Sequence, residues 1–190
     1  MPVAPVEKAE KGKWLLTRRG SCVIHDALAI MLTMTTSGTA LSPEERECVE
    51  HDVILPAEPI REKVNPPKAN SSALLFSRNE LHFVGKLIGN SLKEQLQLRV
   101  WALAVQAWYA HLVVRATREP VDRIVKCAEE AIREGLSLKR PIWGEERNRR
   151  LGFDEDTVLG WIAYVERHNT AVDLPPKPWA FIEAPRFGPL

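Results

Sequence analysis

The 190-residue chain has few cysteines, and none of them are paired in sequence. Cys22, Cys48 and Cys127 are far apart, and no C-x-x-C pair occurs. An odd number of isolated cysteines argues against a disulfide framework, and the lack of paired thiols argues against a zinc site. Reduced thiols are typical of cytoplasmic proteins, so the sequence predicts a cytoplasmic location.

Long hydrophobic runs are also missing. The segment Ala102–Val114 is the most apolar, but it is shorter than the roughly 20 residues that a helix needs to cross a bilayer. The N-terminal residues are polar and contain proline, without the apolar region of a signal peptide. These features predict no membrane span. Peripheral association, at the inner face of the membrane, is a lesser alternative.

The chain has no excess of charge of one sign. It contains 26 basic and 25 acidic residues, for a formal net charge of +1. General binding to polyanions is therefore not indicated, and any contact with nucleic acid has to come from a local patch. The spacings of a P-loop, a dinucleotide fingerprint, a nucleophile elbow and an H-E-x-x-H zinc site are absent as well.

The most conspicuous feature that is present is the stretch Ser91–Thr117. It is almost continuously apolar from Val100 to Val114 and contains three aromatic residues. Treated as a helix, it would be apolar around most of its circumference and would have to be covered. It therefore predicts a mainly α fold with a small β component (α+β), in which a long central helix is packed by shorter ones. An all-α bundle is the alternative fold, and the alternation of polar and apolar residues in Gln95–Val105 leaves a strand as the competing local interpretation.

Shorter helices are predicted from their start and stop signals. Serine followed three residues later by glutamate forms a capping box, and proline or aspartate is favoured in the first turn. The apolar positions between residues 22 and 35 also recur with helical spacing. Helices are therefore expected at residues 22–35, after Ser42, from Ser77 to about Gly89, from Ser91, from Pro120 to Gly135, and from Asp154 to about His168.

The distribution of proline suggests the domain boundaries. Residues 1–12 are predicted to be a disordered arm, and residues 13–173 a single globular domain. Within it, the proline-rich loop 65–72 separates a small N-terminal part, 13–64, from a helical part, 73–170. Residues 174–190 form a tail with five prolines among Trp179, Phe181 and Phe187. Such a tail either packs on the body or binds a partner.

A basic segment between Lys139 and Arg150 is the strongest candidate for chemistry. It holds five cationic and two acidic residues. A helical start after Gly144 would leave backbone N–H groups free for a phosphate, and Arg147 would add a two-pronged donor. The candidate assignments are catalytic for Glu145 and Arg147, cofactor-binding for Gly144, Arg149 and Arg150, and metal-binding for Glu146. A solvated, salt-bridged connector with Trp143 in the core is the alternative interpretation.

The same region resembles the ParB/sulfiredoxin superfamily over about 30 residues. The residues that carry the resemblance are Pro120–Ile124, Ala128–Leu136, Pro141-Ile142 and Gly144–Arg150. Gly144 and Arg147 match the superfamily's G-x-x-R element, and Glu145 matches the acidic position of its G-E-R-R form. The resemblance implies binding of nucleotide or nucleic-acid phosphate, with ATP and Mg²⁺ as cofactors. It also implies DNA cleavage of a kind that blocks transfer of conjugative DNA.

Two functional hypotheses from different classes follow. The first is a phosphate- and nucleic-acid-recognising protein, an ATP-regulated DNase whose partner is DNA. The second is a non-enzymatic helical protein that docks a protein partner through the aromatic face of the central helix or through the Pro-rich tail.

Overall fold

The computed structural model describes residues 27–39 and 73–187, except for the side chains of Glu145 and Glu146. The predictions made for residues 1–26 and 40–72 lie outside these ranges. They include the N-terminal arm, the helix after Ser42 and the loop at 65–72.

The described residues form a four-stranded antiparallel sheet with helices on both faces. The sheet order is β2-β3-β1-β4, so both neighbours of the central strand β1 come from later in the chain. The elements are β1 (Ala29–Thr36), α1 (Arg78–Leu96), β2 (Val100–Val105), β3 (Tyr109–Arg115), α2 (Val121–Gly135), β4 (Trp143–Gly152) and α3 (Glu155–Thr170).

The prediction of a long central helix is wrong. Ser91–Thr117 contains the end of α1 and then the hairpin of β2 and β3. Helices cover both faces of this hairpin, so residues of either parity have to be apolar and the usual alternation is lost. Continuous apolarity therefore suits a doubly covered strand as well as a buried helix. The strand interpretation of Gln95–Val105 is correct from Val100 onwards, and the all-α bundle is not supported.

Two further predictions fail for related reasons. The segment from Ala29 to Thr36 is a strand rather than part of a helix, and it is buried on both faces as the second strand from one edge. Ser91 does not begin a helix, because α1 continues through it to Leu96. There the Ser91 hydroxyl donates to the carbonyl of Cys127 at 3.2 Å.

The other helix starts that fall within the described residues are confirmed, but the end expected near Gly89 is wrong, because α1 continues to Leu96. The backbone N–H and hydroxyl of Ser77 both donate to Glu80 Oε2, at 2.7 and 2.6 Å, ahead of α1. α2 runs from the residue after Pro120 to Gly135. Asp154 caps α3 by accepting from the N–H of Thr157 at 2.8 Å. Helices thus form where local signals place them, but they surround a sheet that dominates the centre of the fold.

Each face of the sheet supports its own core. One face packs against α1 and α2 through side chains that include Leu32, Leu112 and Ile124. The opposite face packs against α3, with Trp101, Val113 and Ile162 in the contact. α3 contacts mainly β2 and, to a lesser extent, β3.

The Pro-rich tail packs on the body of the protein as far as residue 187, with a turn in which Ile182 N donates to the carbonyl of Trp179 at 3.1 Å. Trp179 and Phe181 are buried against two glycines of α1, Gly85 and Gly89. Farther along, Ile182 forms a parallel bridge to Val100 at the outer side of β2. These contacts tie α1 to the edge of the sheet.

Across the part of the chain that the structure describes, we find no helix that is both long and apolar enough to cross a membrane.

Candidate functional site

The segment predicted to bind phosphate is a strand. Gly144–Arg150 lies within β4, so the expected helical start after Gly144 is wrong. The strand pairs with β1, which places Arg147 and Arg149 opposite Met34 and Leu32. Arg150 pairs with Met31 and belongs to the opposite face. The cationic residues are therefore divided between the two faces of the sheet.

The contacts of the predicted residues differ from one to the next. Arg147 Nη1 donates to Asp122 Oδ1 at 2.8 Å, in an ion pair at the start of α2. Arg149 is exposed. A Cβ added at Gly144 would meet only ordinary contacts of 3.5 Å or more, so packing does not require glycine there. The assignments of these residues, and of Glu145 and Glu146, to catalysis, cofactor or metal stay predictions.

A different group of side chains meets on the α3 face of the sheet. Tyr109 and His111 are two residues apart on β3 and point to the same face, while Tyr164 and His168 are one turn apart on α3. These four rings are called the Tyr–His cluster below. The centroid of His168 lies 4.9 Å from that of His111 and 4.6 Å from that of Tyr164. The centroid of Tyr109 lies 4.8 Å from that of His111.

Hydrogen bonds fix both imidazoles. Tyr109 Oη lies 2.9 Å from His168 Nδ1, and Thr33 Oγ1 on β1 lies 2.9 Å from His111 Nδ1. Gln106 Nε2 donates to the backbone carbonyl of His168 at 2.7 Å. Nε2 of His168 is buried and has no hydrogen-bonding partner among the described residues. The cluster is thus held by β1, by β3 and its preceding turn, and by α3.

Both histidines are neutral at pH 7. Burial lowers the pKa of His111 well below its usual value, and the nearby His168 and Arg150 lower it further. Burial, together with the charge of Arg167, lowers the pKa of His168 to about 4. A neutral imidazole can accept a proton, so His168 can act as a base towards the phenol that it contacts.

The margin of the cluster is polar and cationic. Tyr109, Tyr164 and Arg150 are half-buried, while Arg167 is exposed. The guanidinium carbon of Arg167 lies 5.9 Å from the centroid of the Tyr164 ring. Arg150 is close enough to His111 to lower its pKa, so Arg150 and Arg167, named the cationic rim, place positive charge around the cluster. In the described ranges, no three residues among histidine, cysteine, aspartate and glutamate are grouped to hold a metal ion.

This arrangement has the parts of a nucleophilic site for phosphoryl groups. A phenol within hydrogen-bonding distance of a neutral imidazole is a nucleophile–base pair, and arginine is a strong ligand for phosphate oxygens.

The fold is similar to that of a REP-associated tyrosine transposase. That structure, solved bound to a REP hairpin, aligns with 92% of this chain and 81% of its own, with a TM-score of 0.50 and 8% sequence identity. A transposase from Deinococcus radiodurans R1 aligns with 81% of this chain and 98% of its own, at 17% identity and a TM-score of 0.35. No family model and no curated protein matches the sequence.

Sequence reasoning missed the Tyr–His cluster. Two signals were present: the spacing Tyr109-x-His111 places two polar rings on one face of a strand, and Tyr164-x-x-x-His168 places two on one face of a helix. The spacing Tyr109-x-His111 was not informative as long as the segment was interpreted as a helix, because side chains two residues apart point in different directions on a helix.

Proposed function

We propose that this protein binds a folded DNA strand and transfers one of its phosphodiesters to a tyrosine. The observation that carries the proposal is the 2.9 Å contact between the Tyr109 phenol and His168 beside the cationic rim. The similar fold of a tyrosine transposase bound to a REP hairpin supports a DNA hairpin as the class of ligand.

Charge and exposure support this choice of ligand. With a net charge of +1 over the chain, affinity for DNA has to be local, and the cationic rim supplies local charge. Tyr109 and Tyr164 are half-buried, and the ring of Tyr164 lies against Arg167. Aromatic faces stack on the unpaired bases that a hairpin loop or flank presents.

Regulation by ATP, use of Mg²⁺ and inhibition of conjugative transfer stay predictions from the sequence resemblance. None of the contacts described above concerns a nucleotide.

The binding step is tested by fluorescence anisotropy with a labelled DNA hairpin. A linear strand of the same composition and a perfect duplex serve as comparison ligands. Tighter binding to the hairpin is expected. Arg150→Gln or Arg167→Gln should weaken this binding, and each should lower by about one the slope of log affinity against log salt concentration. Arg123→Gln is the matched control, because Arg123 lies on α2 in an ion pair with Glu119. Equal affinity for all three DNAs, or equal losses in the control, would contradict the proposal.

The covalent step is tested with a hairpin that carries a labelled single-stranded flank. A protein–DNA band that survives SDS and disappears in the double variant Tyr109→Phe/Tyr164→Phe supports transfer to a tyrosine. Persistence of the band in that variant would contradict it.

A second candidate function, hairpin binding without cleavage, is favoured by the low basicity of His168. Complete proton transfer from a phenol of pKa about 10 to an imidazole of pKa about 4 costs about 8 kcal/mol. Hairpin binding with no covalent band for the wild type would support this second function instead.

A further inference from the structure

We infer that Tyr109 is the nucleophile of this site and that His168 is the base that takes its proton. The inference rests on the proposed function, and it assigns the reactive tyrosine to strand β3 rather than to helix α3.

The hydrogen bond between the two residues gives the first reason. Tyr109 Oη and His168 Nδ1 are 2.9 Å apart, which is within the range for direct proton transfer. When the phenol donates to Nδ1, the other ring nitrogen of His168 carries the hydrogen. That atom is buried, and within residues 27–39 and 73–187 no hydrogen bond to it fixes the opposite tautomer.

The rigidity of the pair gives the second reason. Gln106 Nε2 donates to the carbonyl of His168, and Gln106 N donates to the carbonyl of Tyr109 at 2.8 Å, so one residue restrains both partners. The next residue, Asn169, donates to the carbonyls of Leu103 and Pro176, both at 2.9 Å. The base is therefore held against β2 and β3, as a preorganised catalytic pair requires.

Tyr164 has a different position relative to the base. It lies one turn before His168 on the same helix, and its ring meets the imidazole edge-on with an interplanar angle of 72°. This contact forms one wall around His168. We therefore assign Tyr164 the role of a positioning residue.

The reaction balances without an oxidant or a further reactant. Tyr109 Oη forms a bond to phosphorus as the bond from phosphorus to one sugar oxygen breaks. The phenol proton passes to His168 Nδ1 and then to the departing sugar oxygen. The products are a phosphotyrosyl–DNA ester and a free DNA hydroxyl, and the reverse reaction rejoins the strand.

Charges around His168 define how the reaction should depend on pH. Burial and then the charge of Arg167 on α3 oppose formation of an imidazolium at His168, while His111 on β3 is itself held neutral by burial, by His168 and by Arg150 on β4. His168 is thus neutral and able to accept a proton over the physiological range. The yield of adduct should be level from pH 6 to 8 and should fall as the pH drops through about 4.

Mass spectrometry of the trapped adduct locates the nucleophile directly. The full-length protein is incubated with the labelled hairpin substrate, denatured and digested, and the phosphotyrosyl peptide is sequenced. The expected result is modification at Tyr109 and its loss in Tyr109→Phe, whereas Tyr164→Phe, which keeps the ring against His168, still forms the adduct. His168→Gln should slow adduct formation by about 10²- to 10⁴-fold, while hairpin affinity is retained. It should also abolish the fall in adduct yield at low pH. Circular dichroism confirms that each variant is folded.

The outcomes separate this inference from the proposed function. An adduct at Tyr164, or full activity of folded Tyr109→Phe, overturns the inference and leaves tyrosine transfer intact. A normal rate and unchanged pH profile in His168→Gln overturn the role of the base. Hairpin binding without any adduct overturns both the inference and the covalent step.

Discussion

Replacement of Gly89 by alanine should displace the Phe181 ring of the C-terminal tail from its site on α1. A Cβ at this position would lie 1.8 Å from Cζ of Phe181, whose ring is 6% exposed and stacked on that of Trp179. Nonbonded carbon atoms prefer about 3.5–4.0 Å. The Phe181 ring would therefore have to move by roughly 2 Å, within a contact that Trp179 also fills.

The expected cost follows from three contributions. Overpacking a buried site costs about 1–3 kcal/mol, and alanine recovers up to about 1 kcal/mol because it suits a helix better than glycine does. If the Phe181 ring alone leaves its site, the cost is bounded by the lost burial of that side chain, about 1.5–3 kcal/mol. We expect a net loss of about 1–2 kcal/mol. For a chain of this size, that lowers Tm by about 2–8 °C.

Urea and thermal unfolding, followed by circular dichroism, measure this loss. Gly135→Ala is the matched control, since its Cβ would meet only the movable end of Leu87 and should change stability by less than about 0.5 kcal/mol. Phe181→Ala in the Gly89→Ala background completes a double-mutant cycle and should cost less than it does in the wild type. Equal Tm values for wild type and Gly89→Ala, or additive costs in the cycle, would refute the packing of Phe181 on Gly89.

Three further predictions concern the site and its helix. Unfolding allows His168 to regain a pKa near 6.5, so its contribution to stability should be fully present above that pH and should decline by up to about 3 kcal/mol towards pH 4. A pH series of urea melts tests this, and His168→Asn should make the decline smaller without abolishing it, because the lowered pKa of His111 causes a further decline of the same sign. Thr33→Val removes the partner of His111 Nδ1 and should cost about 1–3 kcal/mol in chemical denaturation, whereas Thr33→Ser should retain most of the stability. Asp154→Ala removes the cap on Thr157 and should lower the free energy of unfolding by about 0.5–2 kcal/mol, with Asp154→Asn close to wild type; equal loss in both variants would argue against the cap.

The function of the Pro-rich tail shows where sequence reasoning had to leave alternatives open. Its aromatic residues are compatible with a partner site or with intramolecular packing. Only the tertiary structure brings Trp179 and Phe181 over the two glycines of α1. In the sequence, Gly85 and Gly89 lie about 90 residues away from these aromatics, and a glycine four residues from another is not in itself a signal for a bound ring.

Local sequence signals were sufficient to predict where three helices begin. Ser77 with Glu80, and Asp154 with Thr157, are pairs three residues apart whose hydrogen bonds depend only on the local backbone. Pro120 likewise sets the start of α2 through its own ring geometry. The same kind of pair at Ser91 and Glu94 did not begin a helix, because both residues lie inside α1.

The tertiary structure decided the sheet and the Tyr–His cluster. The continuous apolar run indicates that Val100–Val114 is buried on all sides. It does not distinguish a buried helix from a strand that is buried on both faces. Tyr109 and His168 are 59 residues apart, and they meet only after β3 has paired with β1 and β2 and α3 has packed on the resulting face. Their contact depends on strand register and helix placement. These are set by the sum of many buried contacts across the fold, so no short segment of the sequence contains them.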